Sequence, residues 1–258
     1  MMEACETGIV LVSSVLATLM FLSTAACAGE QAQNPLTIFQ EAQRALDAGQ
    51  FAQAEQGFSQ VLKIDPNSAA ARANLGVVYL RTNQLDAAIK TLKEAKKLAP
   101  KVVGIDLDLG LAYYRKRDFS NAIPEFDPVL QFTAGHFQAR YLLGMSYFMN
   151  DDYEHAVQTL QPLQDLEKAD LDFLFVMGIC YGKLKREADS ARAFEQLLSA
   201  GGETAHMHLL LGKAYLDLYQ DQAAQKELEE AEALAGRRLQ LPARFGRRPS
   251  PTRSPLPQ

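Results

Sequence analysis

Tryptophan is absent from these 258 residues, cysteine occurs three times and histidine four times. Cys5 and Cys27 both lie near the N-terminus, so Cys180 has no partner in the body of the chain and a disulfide scaffold is excluded. Sixteen glycines and 11 prolines are close to average usage, which removes collagenous and low-complexity readings. With 48% hydrophobic and 22% charged residues, the chain is too apolar for wholesale disorder. Basic charge is scarce where it would matter for nucleic acid. Six arginines fall in residues 237–258, so the remaining residues carry only 20 of the 26 basic groups against all 31 acidic ones. An acidic body repels phosphate backbones, and nucleic acid is not the expected partner.

Catalytic and metal-binding constellations are missing as well. The histidines are His136, His155, His206 and His208; the last two are spaced i, i+2, which points their rings to different faces of a helix. Cys180 lies between Ile179 and Tyr181 with no histidine near it in sequence, the setting of a small buried hydrophobe rather than a nucleophile. No phosphate-cradling glycine loop occurs. The expectation is a protein that is not an enzyme and holds no metal and no cofactor.

The two ends are unlike the middle. From Thr7 to Gly29 there is no charge, and Gly8 to Ala26, as a helix, would reach roughly 28 Å, near the thickness of a bilayer's hydrocarbon. Ala26-Cys27-Ala28 reads as a small-residue cleavage site, so residues 1–28 are read as an export signal. A retained membrane anchor through residues 8–26 and lipidation at Cys27 stand as alternatives. Thr24 replaces the leucine usual in lipidation signals, and Glu3 and Glu6 give the leading segment the wrong charge for export. The expected location is therefore exported, periplasmic or secreted, or membrane-anchored. Residues 29–34 read as a linker. Residues 237–258, basic and with four prolines among the last ten, read as a disordered tail.

Between these ends lies a repeat. Glycine recurs at 76, 110, 144, 178 and 212, each 34 residues after the last. At this glycine content, four such coincidences have a chance of about one in 10⁵. Tyr79, Tyr113, Tyr147, Tyr181 and Tyr215 follow each glycine by three residues, and Leu75, Leu109, Leu143, Met177 and Leu211 precede it by one. Ala88, Ala122, Ala156, Ser190 and Ala224 come next in step, then Leu92, Phe126, Leu160, Phe194 and Leu228. Ala42, Ala54, Phe58 and Pro66 fill the same slots one unit earlier. Six repeats thus occupy residues 35–236 without insertion. Each unit reads as two helices with a break between them, and an interior glycine is expected to face the small residue of the second helix so that the backbones approach. Pro124, Pro128 and Pro162 predict bent second helices over 119–132 and 153–166.

The Leu-Gly-x-x-Tyr, Ala-x-x-x-Phe, Pro signature at a period of 34 resembles the tetratricopeptide repeat family. Arg72, Asp106, Arg140, Leu174 and His208 stand where that family has tryptophan, and the closing proline survives only as Pro66 and Pro100. The resemblance implies an all-α fold, a right-handed superhelical solenoid of antiparallel helix pairs whose first helices line a concave groove. It also implies which residues face that groove: Val77, Leu80 and Arg81; Leu111, Tyr114 and Arg115; Tyr141, Met145, Phe148 and Met149; Phe175, Ile179 and Lys183; Leu209, Lys213 and Leu216. The carboxylate clamp of some family members is not matched, because Phe39, Gln43, Gly104 and Asp108 replace four of its positions while Asn74 alone fits. The expected function is a scaffold that holds a protein or peptide segment in this largely apolar groove. Two alternatives are the adaptor portion of a larger or truncated protein and a self-assembling repeat, with the oligomeric state open.

Overall fold

The computed structural model describes residues 34–164 and 170–240, with side chains described up to residue 236. Residues 1–28, read as an export signal, most of 29–34, read as a linker, and 241–258 of the expected tail lie outside the described residues. Every regular element among them is helical: α1 (Pro35–Asp47), α2 (Phe51–Ile64), α3 (Ala69–Arg81), α4 (Leu85–Leu98), α5 (Val103–Arg115), α6 (Phe119–Phe132), α7 (Phe137–Met149), α8 (Tyr153–Leu160), α9 (Leu171–Lys183), α10 (Glu187–Gly201), α11 (Ala205–Asp217) and α12 (Asp221–Gln240). The fold is the expected all-α repeat of helix pairs, a helical-repeat solenoid. No helix among the described residues is long and apolar enough to cross a membrane.

The 34-residue period is written into the backbone at two points in each pair. Asn34, Ser68, His136, Asp170 and Thr204 precede the first helices, and each accepts a hydrogen bond from a backbone N–H of the opening turn. These contacts satisfy donors that a helix start leaves without internal partners. Only Val102, in the third unit, cannot serve. At the turn between first and second helix the chain passes through the left-handed region at Gly49, Asn83, Arg117, Asp151, Lys185 and Tyr219, with φ between 58° and 72°. Reversing direction in so few residues requires that conformation, so the turn recurs whether or not glycine is present.

The expected approach of glycine to the small residue of the second helix is seen where Ser190 Oγ donates to the Gly178 carbonyl at 2.8 Å and where Ala224 O would lie 3.5 Å from a Cβ on Gly212, but the side chain that fills the space over the glycine is a larger one. A Cβ on Gly76 would come within 2.6 Å of Leu92 Cγ, and one on Gly212 within 2.7 Å of Leu228 Cδ2. On Gly144 it would run into Leu160, and on Gly178 into Phe194. The notch therefore receives the large side chain one turn further along, while Ala88, Ala156 and Ala224 are fully buried beside it. The first pair inverts the arrangement: Ala42 holds the glycine slot, and a Cβ on Gly57 of α2 would meet Ala42 Cβ at 2.7 Å.

The chain divides into two compact units, with the boundary between Ala112 and Tyr113, inside α5. A continuous period gave no sign of this division. In the first unit, Ile38, Ala42, Phe58, Val61, Leu75 and Val78 belong to one core cluster. In the second, a larger cluster runs from Ala156 to Ala224 and includes Phe173, Met177, Phe194, Leu197, Leu211 and Tyr215. At the prolines, helix α6 is continuous over the expected 119–132 with Pro124 and Pro128 inside it, whereas α8 stops at Leu160 and passes into a 3₁₀ turn, Gln161–Leu163, around Pro162; positions 165–166 of the expected second helix lie outside the described residues. The missing proline N–H and the ring's clash with the preceding turn account for that stop. Helix α12 runs four residues past the expected end of the repeats at 236.

Candidate functional site

In the first unit, the side chains expected to line the groove separate. Val77 and Leu111 are half-buried and Arg81 is exposed, whereas Leu80 is only 3% exposed and belongs to the core. Leu80 sits a full turn beyond Gly76 and is drawn inward, so it is not available to a ligand. Beside these residues burial pushes the Asp108 carboxyl up to about 6, with the Arg81 guanidinium opposing the shift.

The second unit carries most of the apolar surface. Tyr114 packs edge-on to Phe119, with ring centroids 5.6 Å apart, and Arg115 is exposed. On α7, Tyr141 stacks on Phe137 at 6.2 Å, Phe148 meets Tyr153 edge-on at 6.2 Å, and Met149 is 39% exposed. Tyr141, Met145, Phe148, Phe175 and Ile179 are all partly buried against the same core cluster, which fixes them as one semi-rigid row with exposed edges. Lys183 Nζ donates to the Asp217 carbonyl at 3.1 Å, while Lys213 is exposed and Leu209 and Leu216 are 40% and 48% exposed.

One slot of this surface is occupied from within. Gly182 holds the position that Leu80, Tyr114, Phe148 and Leu216 hold in other units, and Leu218 lies directly over it, 4% exposed. The sequence signal was the glycine itself, but the residue that fills it lies 36 positions away. Cys180 is fully buried and its thiol is pushed up to about 12 by that burial, which keeps it protonated and unreactive. Among the described residues no group of three metal-ligating side chains converges.

The tryptophan slot is filled mainly by charge. Arg72 bonds Glu94, Lys96 Nζ lies 2.8 Å from Asp106 Oδ1, and His208 Nδ1 lies 2.7 Å from Glu227 Oε2. Each pair ties neighbouring helices together where an indole would have filled the space. Leu174, the apolar exception, is fully enclosed.

Sequence analysis did not find a further cleft. It has a volume of about 390 Å³ and is lined by Ala205, His206 and Leu209 of α11 and by Leu228, Ala231, Glu232 and Ala235 of α12. The available signal was the alanine at 205 and 231, where the preceding unit has Leu171 and Leu197. A smaller cleft of about 120 Å³ on the first pair is lined by Ile38, Glu41, Ala42, Gln53, Gln56, Gly57 and Gln60.

Comparison with known proteins gives two family-model matches and a set of similar solved structures. A tetratricopeptide-repeat profile matches residues 45–102, and the profile described as anaphase-promoting complex, cyclosome, subunit 3 matches residues 115–197. Among solved structures, MamA (AMB-1) is similar with a TM-score of 0.60 and 19% identity, over 64% of this chain and 97% of that one. YrrB, described as a TPR protein with an unusual peptide-binding site, is similar with a TM-score of 0.58 and 18% identity, over 70% of this chain and 94% of that one. A tetratricopeptide repeat protein from Parabacteroides merdae has a TM-score of 0.52 and 18% identity, over 82% of this chain and 83% of its own. At such identities the likeness speaks to the fold alone. No curated protein matches the chain significantly.

Proposed function

This chain is a tetratricopeptide-repeat protein, and from that premise we propose that it is a non-catalytic scaffold holding an extended or helical segment of another protein. The observation that carries the reading is the row on α7 and α9: Tyr141, Met145, Phe148, Met149, Phe175 and Ile179. Side chains anchored on a core while exposing an apolar edge lose little freedom on binding, and methionine adapts to differing partners. The peptide site of YrrB, a protein of the same fold, supports a peptide or protein ligand of this kind. Export, or tethering through residues 8–26, remains part of the proposal on the strength of that uncharged segment.

The test uses a photo-crosslinking amino acid at Met149, with the crosslinked partner segment mapped by mass spectrometry. In the Tyr141→Ala, Phe148→Glu variant the expected outcome is at least a tenfold loss of that crosslink, given the usual weight of buried aromatic anchors. Helical circular dichroism should be unchanged. Retention of the crosslink would move the binding surface elsewhere.

A further inference from the structure

The last helix pair presents a cleft whose counterpart in the preceding pair is already filled, and the filler shows what fits. Counting back 34 residues, Ala205, Leu209, Leu228, Ala231 and Ala235 correspond to Leu171, Phe175, Phe194, Leu197 and Gly201 on α9 and α10. That face is covered by α11. Phe194 packs edge-on to Tyr215 at 5.1 Å, and a Cβ on Gly201 would reach Met207 Cε at 3.1 Å. Met207, Leu211 and Tyr215, spaced four residues apart, lie in the same core cluster as Phe194 and Leu197. A helix with apolar side chains at i, i+4 and i+8 is thus the shape this surface accepts. In the last pair alanine replaces leucine at 205 and 231, and Leu209 and Leu228 replace phenylalanines, which leaves the volume of about 390 Å³.

Charge narrows the occupant. Helix α12 carries Asp221, Glu227, Glu229, Glu230 and Glu232 against Lys226, Arg237 and Arg238, and the two arginines come after the last cleft residue, Ala235. Glu227 is joined to His208, while Glu229, Glu230 and Glu232 are exposed, and Glu232 lies on the cleft. Two copies meeting through this face would bring Glu232 of one cleft towards Glu232 of the other. A copy arriving with its first helix would bring α1, whose Ile38, Ala42 and Ala45 are already buried in its own pair and whose exposed Leu36 is followed at i+4 and i+8 by Gln40 and Arg44. Neither supplies the required row.

We propose that the α11–α12 cleft is a second docking site, distinct from the α7–α9 row, and that it takes a basic amphipathic helix of a partner protein, with three apolar residues spaced four apart and lysine or arginine flanking them. The apolar row replaces the missing cover, and the basic flanks meet Glu232 on the cleft and, at its border on the exposed side of α12, Glu229, which also accepts from Gln225 Nε2 at 2.8 Å.

The probe is a fluorescein-labelled helical peptide of about 18 residues, with Met, Leu and Tyr at the three core positions and lysines beside them. A second peptide carries glutamates in place of the lysines. Anisotropy titrations with the full chain are expected to show the basic peptide binding about tenfold more tightly than the acidic one, and to weaken as salt rises. Ala231→Arg, which fills the cleft, should abolish binding. The Glu229→Lys, Glu232→Lys variant, altered only at exposed positions, should reverse the preference and so carries the test if Ala231→Arg fails to fold. The Tyr141→Ala, Phe148→Glu variant should bind the peptide normally, which separates this site from the one proposed above. Equal binding of both peptides, or a charge preference unmoved by the lysine substitutions, overturns the proposal. So does a tenfold gain on removing residues 241–258, which would assign the cleft to the chain's own segment. A dimer of the full chain that Ala231→Arg dissolves would assign it to a second copy and overturn it equally.

Discussion

A methyl group placed on Gly144 would have to share space with Leu160, and this determines the effect of substituting it. Alanine improves helix propensity by about 1 kcal/mol, whereas overpacking a closed core costs roughly 1–3 kcal/mol. Gly144→Ala is therefore expected to destabilise the protein by about 1 kcal/mol in urea denaturation, with the overpacking cost the larger. In a Leu160→Ala background the space is open and the same change should stabilise; a cycle with no coupling would remove the notch from the account. Asp108 gives a second test at this scale. The unfolded chain releases this proton near the ordinary value of 3.8, and the folded chain near about 6. Between these values the folded state holds more protons, so the carboxyl makes stability fall as pH rises through the window. Asp108→Asn should remove that slope and raise stability at pH 7 by about 1–3 kcal/mol, as urea midpoints at pH 4 and pH 7 would reveal.

At the scale of helices, the polar pairs in the tryptophan slots show how the chain manages without tryptophan. His208 and Glu227 hold α11 to α12, while the same two slots one unit earlier hold Leu174 and Ala193, both buried. Removing one partner leaves a buried polar group unsatisfied, and Glu227→Ala is expected to cost about 1–3 kcal/mol. Replacing both by the apolar pair of the preceding unit, His208→Leu with Glu227→Ala, should bring stability back to within about 1 kcal/mol of the original, because replacing both partners of a buried hydrogen bond by well-packed apolar groups can be nearly neutral. Thermal unfolding of the two variants side by side decides this, and equal losses in both would show that the pair does more than join two helices. The turns explain a different economy: Arg117, Lys185 and Tyr219 hold the left-handed conformation without glycine or asparagine, since the flanking helices impose it.

For the molecule as a whole, the period of 34 made the helix pairs legible because propensity, caps and core slots all recur in register. It could not show which slots a neighbour fills. Leu80 turned into the core, and Gly182 lost its place on the surface to Leu218, because both outcomes depend on side chains from another helix or unit. The division between Ala112 and Tyr113 is equally invisible to a pattern that runs straight through it. The α11–α12 cleft depends on volume lost through alanine at 205 and 231, a difference in size within one residue class that a hydrophobic pattern does not register.

The helix-start residues Asn34, Ser68, His136, Asp170 and Thr204 also make the units interchangeable at their seams. A break after any of these positions rejoins the chain to an equivalent residue already suited to open the next first helix. Gene duplication or loss in multiples of 34 codons can therefore lengthen or shorten such an array without inventing a new junction, and selection is left free to diversify what each module displays.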